Sequence, residues 1–285
     1  MDKASDDGRR LPSAGEDLAR AELEPDTPQT RSPSYRLAFA DLDFLLRDEL
    51  RSVRLQLEQL KPEMLLREHR IDSTVVVFGS SRIPAPEAAA APTRRRGCVL
   101  DPERTYAAAR EFARLVSRAG QKHGPERRFV IMTGGGPGVM EAANRGAHDV
   151  GAESIGLNIV LPHEQAPNPY ITPELCFQFH YFAVRKLHFM LRARALVCFP
   201  GGYGTLDELF EALNLVQSGK AEPMPILLYD EKYWRRIVNF EAMVEEGVIA
   251  PADLRLFRYV ESAEAAWRAI CAHYDLDPAL ADEGS

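Results

Sequence analysis

The sequence predicts a doubly wound α/β fold, a parallel sheet with helices on both faces, carrying an N-terminal helical extension. Three observations predict it. Short, continuously apolar stretches within runs such as STVVVFG at 73–79, FVIMT at 129–133 and ALVCF at 195–199 read as strands buried on both faces. Stretches of helical period separate them, so strands and helices alternate with short loops. Three strands end in ligand-type loops, at 79–82, 134–138 and 201–205, which belong at the carboxyl edge of such a sheet.

Taken in order, the chain opens on residues 1–34, rich in Asp, Glu, Pro, Ser and Arg. Too little apolar surface is present there to offset the entropy of ordering, which predicts a disordered tail. Across 35–70 the residues Leu42, Leu45, Leu46, Leu50, Val53, Leu57 and Leu60 recur at helical spacing and predict an amphipathic helix, with Pro62 a kink or stop near its end. Residues 71–275 hold the sheet. Further strands are expected at 154–161, 176–181, 225–229 and 257–260. Helices are expected at 101–119, capped by Asp101 ahead of Pro102, at 139–150, from 182, after the turn at 200–205 (opening with Asp207 and Glu208), at 234–246, and from Ser262 to about 274. The low-complexity segment 84–97, with Arg94, Arg95 and Arg96, reads as a surface insertion, and 276–285 as a C-terminal tail.

Composition narrows the function. With 285 residues, 45% of them apolar, the chain suffices for one α/β domain plus appendages. Its 35 basic and 42 acidic residues give a net charge of -7, which excludes a global electrostatic footprint for nucleic acid. Cys98, Cys176, Cys198 and Cys271 are scattered without a CxxC pair and read as thiols in a reduced compartment. The start lacks an apolar signal-peptide segment and no long apolar run occurs, so a cytoplasmic protein that does not engage a membrane is expected. His163, His180 and His188 show neither metal-ligand nor triad spacing, and no metal site is expected.

The chemistry concentrates in 182–211, FAVRKLHFMLRARALVCFPGGYGTLDELFE. It reads as a helix bearing Arg185 and Lys186, a buried strand, a glycine turn, and a second helix opening with Asp207 and Glu208. Gly201, Gly202 and Gly204 leave the backbone open to a ligand, and the unpaired N–H groups of a helix start attract anions. The loop at Gly79, Ser80, Ser81 and Arg82 and the run at Gly134, Gly135 and Gly136 join this edge of the sheet. No GxGxxG follows the first strand and no GxxxxGK[ST] occurs, so neither a dinucleotide fingerprint nor a triphosphate-cleaving loop is present. A phosphorylated small molecule remains the expected ligand.

An Arg185-Lys186 pair followed by PGGYGTLDE, with GGGPGVMEAANRGA upstream, resembles the Lonely Guy family, in particular its longer bacterial members with an N-terminal helical extension, some described as AMP nucleosidases. The resemblance covers about residues 73–272. It implies a Rossmann-like fold and hydrolysis of the N-glycosidic bond of adenosine 5′-monophosphate, or its prenylated cytokinin form, to free base and ribose 5-phosphate. It further implies a homodimer or larger homo-oligomer, with no cofactor. Arg185 and Glu208 match the family's essential pair, and Lys186 its adjacent substrate contact. Gly201, Gly202, Tyr203, Gly204 and Thr205 match the phosphate loop. Asp207 stands where the family usually carries Glu, and Glu164, in LPHE, matches an upstream acidic contact. Met140 and the loop at Gly134 border the base in this reading. Glu208 also has a plainer role open to it, as a helix-start carboxylate satisfying backbone donors. Two other functions stay open: a non-catalytic carrier of a nucleotide or phosphorylated pterin, resembling a molybdenum cofactor carrier, and a lysine decarboxylase. The last requires pyridoxal phosphate, and no lysine stands in a recognisable setting for it.

Overall fold

In the computed structural model, residues 11–88, 98–122, 129–162 and 166–282 are described. Seven strands form one sheet: β1 (Thr74–Phe78), β2 (Val130–Thr133), β3 (Ser154–Ile159), β4 (Cys176–Phe179), β5 (Ala193–Cys198), β6 (Ile226–Tyr229) and β7 (Arg258–Val260). Their spatial order is β4-β3-β2-β1-β5-β6-β7, and every neighbouring pair is parallel. The helices are α1 (Ala14–Ala21), α2 (Leu42–Leu45), α3 (Arg51–Glu68), α4 (Pro102–Gln121), α5 (Val139–His148), α6 (Phe182–Leu191), α7 (Tyr203–Gln217), α8 (Glu231–Ile237), α9 (Phe240–Glu245) and α10 (Ala263–Tyr274). The doubly wound class read from the sequence is the class observed.

Strand β1 shows why its run carries no polar alternation. All five residues are buried. Val75 and Val77 join Phe112 and Val116 of α4, Ala143 of α5 and Ile270 of α10 in one core on the first face. Phe78 points to the other, where its ring meets Phe189 of α6 edge-on at 4.8 Å. Two caps set helix starts where the sequence places them: the Asp101 carboxylate accepts from Arg104 N at 3.1 Å, and the Ser262 hydroxyl from Ala265 N at 3.1 Å.

Helices α4 and α5 touch backbone to side at Gly146, where an added Cβ would lie 2.1 Å from the Arg110 carbonyl oxygen and 3.0 Å from Ala113 Cβ. Gly146→Ala must therefore push the two helices apart. Its better helix propensity returns about 1 kcal/mol, less than the overpacking costs, so a net loss of about 2 kcal/mol is expected, read as a lower urea midpoint.

The chain divides into two units, 1–57 and 58–285. Several expectations about the ends need correction. Part of the segment expected to be a disordered tail is helical: α1 carries a capping box in which Glu16 N donates to the Ser13 hydroxyl at 3.2 Å and Ser13 N to the Glu16 carboxylate at 2.6 Å. The leucine stripe is not one helix. Asp41 caps the short α2, a 3-10 turn follows at Asp48–Leu50, and α3 begins at Arg51. Arg54 holds this break by donating to the carbonyls of Leu45 and Arg47, at 2.7 and 2.6 Å, which a continuous helix would have paired internally.

Pro62 does not stop α3, which runs on to Glu68 with the proline ring buried. The second unit begins at Glu58, within α3. At the far end, the expected tail folds back: Pro278–Ala281 is a 3-10 turn, Ala281 is buried, and Trp267 Nε1 donates to the Pro278 carbonyl at 3.0 Å. The helix expected at 234–246 is two helices, because Val238 is extended and the Asn239 side chain accepts from Ala242 N to start α9. The insertion's Arg94, Arg95 and Arg96 lie outside the described residues. Among the described residues no helix is long and apolar enough to cross a membrane. All four cysteines are free, with Cys198 and Cys271 buried.

Candidate active site

The strand order reverses between β1 and β5: the chain leaves β1 towards β2, β3 and β4, then returns to pair β5 on the other side. Loops leaving two such strands diverge and open a crevice at the carboxyl edge. A cleft of about 630 Å³ occupies that place, between the loop at 79–82 and the start of α7. Backbone bonds tie its walls together. Ser80 N donates to the Pro200 carbonyl at 2.9 Å, and Val139 N to the Ser80 carbonyl at 3.1 Å.

The turn after β5 is packed to its limit. A Cβ on Gly201 would lie 2.0 Å from Thr205 Oγ1, so only glycine lets α7 begin this tightly. Tyr233 OH, from α8, donates to the Gly201 carbonyl at 2.6 Å and fixes the turn from outside. No side chain caps α7. The N–H groups of Tyr203, Gly204 and Thr205 find no acceptor among the described residues. Together with the helix dipole they form a positive concavity at the cleft wall. Tyr203 itself is 92% exposed.

Glu208, one turn into α7, lines the same cleft and is only 7% exposed. Burial pushes its carboxyl up to about 7, aided by the Glu211 and Asp207 charges and opposed by those of Lys186 and Arg185. Arg185, from α6, also lines the cleft. Neutral carbonyls hold it: Nε donates to Leu157 O at 2.7 Å and Nη2 to Gly134 O at 3.4 Å, with the guanidinium 5.2 Å over the Phe189 ring. Burial lowers its pKa, with Glu208 acting the other way. The two groups thus share one wall of the cleft. A carboxyl that titrates near neutrality sits beside a cation whose hydrogen bonds go to neutral acceptors, an arrangement typical of reactive sites.

Of the residues singled out in the sequence, Gly79, Ser80, Met140, Arg185, Gly201, Gly202, Tyr203, Gly204, Thr205, Asp207 and Glu208 line this cleft. Lys186 does not. Its ammonium binds the carboxylates of Asp207 and Glu211, at 3.0 and 2.8 Å, and staples α6 to α7. Burial works against its charge, but those two hydrogen bonds outweigh it and raise its pKa. Gly135 and Gly136 are also off the cleft, bound into a buried amide network. Gly135 N donates to Thr133 Oγ1 at 3.0 Å, and Asn168 donates to the carbonyls of Gly135 and Gly136, each at 3.1 Å. Thr133 and Asn168 both converge on Asn144 Oδ1, at 2.7 and 3.0 Å. The glycine run is therefore rigid scaffold, and only Gly134 of it borders the cleft. Glu164 lies outside the described residues. Sequence reasoning missed Phe182, Tyr233 and Ile237 in the cleft lining. Tyr233 has a local signal: Asp230, left-handed at φ 72°, caps α8 through Tyr233 N and aims that turn at the site.

Residues 140–270 match the family model described as "Possible lysine decarboxylase". Over 142 residues the chain is 30% identical to a probable cytokinin riboside 5′-monophosphate phosphoribohydrolase of Oryza sativa subsp. japonica, covering 48% of this chain and 60% of that protein. Over 136 residues it is 32% identical to a cytokinin riboside 5′-monophosphate phosphoribohydrolase of Arabidopsis thaliana, covering 46% and 61%. The match thus spans about three fifths of the length of these curated relatives. The molybdenum cofactor carrier protein of Chlamydomonas reinhardtii aligns structurally with a TM-score of 0.45 at 18% identity, over 72% of this chain and 99% of that one. The likeness to the Lonely Guy family read from the motifs is therefore shown in the sequence relatives.

Proposed function

We propose, from this family likeness and from the cleft, that the protein is an N-glycosyl hydrolase of nucleoside 5′-monophosphates. Adenosine 5′-monophosphate and its prenylated cytokinin form are the candidate substrates. One observation carries the reading: a buried carboxyl with a pKa of about 7, Glu208, shares a cleft with Arg185 and with the uncapped amides of α7.

The physical account runs from the phosphate inward. The N–H groups of Tyr203, Gly204 and Thr205 take the 5′-phosphate, a contact remote from the bond that breaks, and that binding energy fixes the ribose. Scission of the C1′–N9 bond sends its electron pair to the base and leaves positive charge on the sugar ring. Ionised Glu208 stabilises that charge, orients a water molecule towards C1′ and accepts its proton as the new C1′–O bond forms. The departing base takes up a proton from solvent. Arg185 favours the ionised form of Glu208 and orients the ribose phosphate.

The test is incubation with AMP, isopentenyladenosine monophosphate and adenosine, followed by chromatography. Free base from at least one monophosphate, with adenosine far poorer, is the expected result. Saturable binding of the monophosphates without any product would replace the reading with that of a nucleotide-binding protein.

A further inference from the structure

Helix α6 delivers Arg185 to the cleft, and the later part of α3 grips α6 at both ends. At the start, Glu58 Oε1 accepts His180 N–H at 2.8 Å and Oε2 accepts Tyr181 N–H at 3.1 Å. Tyr181 is the N-cap residue and offers no side-chain cap. Glu58 thus supplies, from a distant helix, the acceptor for the N-cap N–H that a capping-box Glu at the third helical position normally supplies locally, and its charge meets the positive end of the α6 dipole. The carbonyl of the same residue, in the next peptide group, leads straight to the site residue, because Arg185 N donates to the Tyr181 carbonyl at 3.1 Å.

At the far end the Glu63 carboxylate forks the Arg192 guanidinium at 2.6 and 2.8 Å, while Arg192 Nε donates to the Ile71 carbonyl at 3.2 Å. Between these anchors His188 is 2% exposed and closes no hydrogen bond through either ring nitrogen. Its ring lies beside the backbone of Glu58 and Gln59. Pro62, which lacks an N–H, leaves the Glu58 carbonyl without its helical donor at that spot. The proline is thus tolerated where α3 is already held by α6.

We propose that Glu58 is a positioning residue for Arg185: by clamping the Tyr181 peptide it sets where α6 begins, and hence how the guanidinium enters the cleft. The inference rests on the glycosidase reading for its kinetic readout alone. Glu208 is the group through which displacement of Arg185 becomes visible. It faces Arg185 and Lys186 on α6, Asp207 and Glu211 on its own helix, and the Cys198 thiol at the end of β5. Of these, Arg185 and Lys186 favour the carboxylate.

The experiment uses the full chain with Glu58→Ala, Glu58→Gln and, as control at the far anchor, Glu63→Gln. Hydrogen exchange is followed in peptides covering 182–191 and, for reference, 263–274. Turnover of AMP is followed against pH. In Glu58→Ala, exchange at 182–191 is expected to quicken while 263–274 is unchanged. Its kcat is expected to fall about tenfold, the scale of a sub-ångström misplacement. The acid limb of its pH profile should move up, since Glu208 loses part of its cationic neighbour. Glu58→Gln keeps one carbonyl oxygen and should recover part of each effect, and it carries the test if Glu58→Ala does not fold. Glu63→Gln should loosen α6 near Arg192 without moving the acid limb. Unchanged exchange at 182–191 would overturn the proposal. So would a fall in activity that leaves the limb in place and is equal in Glu58→Gln and Glu63→Gln. A wild-type protein that releases no base from any monophosphate defeats the glycosidase reading instead, and the exchange result then decides the clamp.

Discussion

Glu208→Gln is expected to abolish turnover and, at alkaline pH, to stabilise the protein. The catalytic half follows from removing the group that, in the proposed mechanism, accepts the proton of the attacking water, worth about a thousandfold or more in kcat. The stability half follows from linkage. The folded carboxyl titrates at about 7 against an ordinary value of 4.5, because burial disfavours its charge. A raised folded pKa means the native state binds the proton more tightly than the unfolded chain does. That contribution is fully present below the unfolded value of 4.5 and is lost as pH rises through about 7. At about pH 8 the wild-type protein therefore holds a buried carboxylate, which destabilises it by about 3 kcal/mol relative to a neutral side chain of the same shape. The amide is neutral at every pH. Urea unfolding at a series of pH values should show the variant ahead at about pH 8 and level with wild type near 4.5, the carboxyl's ordinary value. A variant no more stable at alkaline pH would show that Glu208 is better solvated than its 7% exposure implies. The pH profile of the wild type decides the direction of the chemistry. A base or electrostatic role makes the rate rise with pH through about 7, whereas a general acid would make it fall.

What could be read in advance followed from how strongly each residue's place was dictated. The strands were legible because a parallel strand covered on both faces shows no alternation of apolar and polar residues, and β1 and β6 are buried at every position. That the loop at 201–205 and Glu208 line one cleft was legible because glycines ahead of a helix start leave the backbone open at the carboxyl edge of the sheet. What stayed hidden depends on partners far along the chain. Periodicity suggested one long helix at 42–60, but Arg54 stabilises a break by capturing two carbonyls. Pro62 carries a local rule for stopping, and long-range contacts from Glu58 and Glu63 override it. Lys186 looks like a ligand contact beside Arg185. Yet successive helix positions face different ways, and its ammonium lands on Asp207 and Glu211. Gly135 and Gly136 look like part of a ligand-facing loop, but their carbonyls are taken by Asn168, more than thirty positions away. Glycine reports that a backbone comes close to something; it does not report whether the neighbour is a ligand or an asparagine.

Arg185 offers the sharper separation of geometry from charge, through two substitutions. Arg185→Met keeps the bulk and removes both the cation and its donors. The carbonyls of Leu157 and Gly134 lose the partner that sat at 2.7 and 3.4 Å. Glu208 loses one of the two positive neighbours that oppose its protonation, so its pKa moves further above 7. At neutral pH the loss is then compounded: substrate is poorly oriented, and most of the enzyme carries the protonated, idle carboxyl. A fall in kcat/KM of about a thousandfold is expected at pH 7, with a part of it, about tenfold, regained by about pH 9, where the carboxyl ionises again. Arg185→Lys retains the charge on a single nitrogen that cannot span both carbonyls. Its acid limb should stay near the wild-type position while kcat/KM still falls by about a hundredfold, because the proposed planar recognition of the ribose phosphate is gone. Steady-state kinetics with AMP between about pH 5 and 9 distinguishes the two. If the methionine variant kept the wild-type limb, Arg185 would not be what holds Glu208 in its working protonation state, and Lys186, through its staple to Asp207 and Glu211, would have to be.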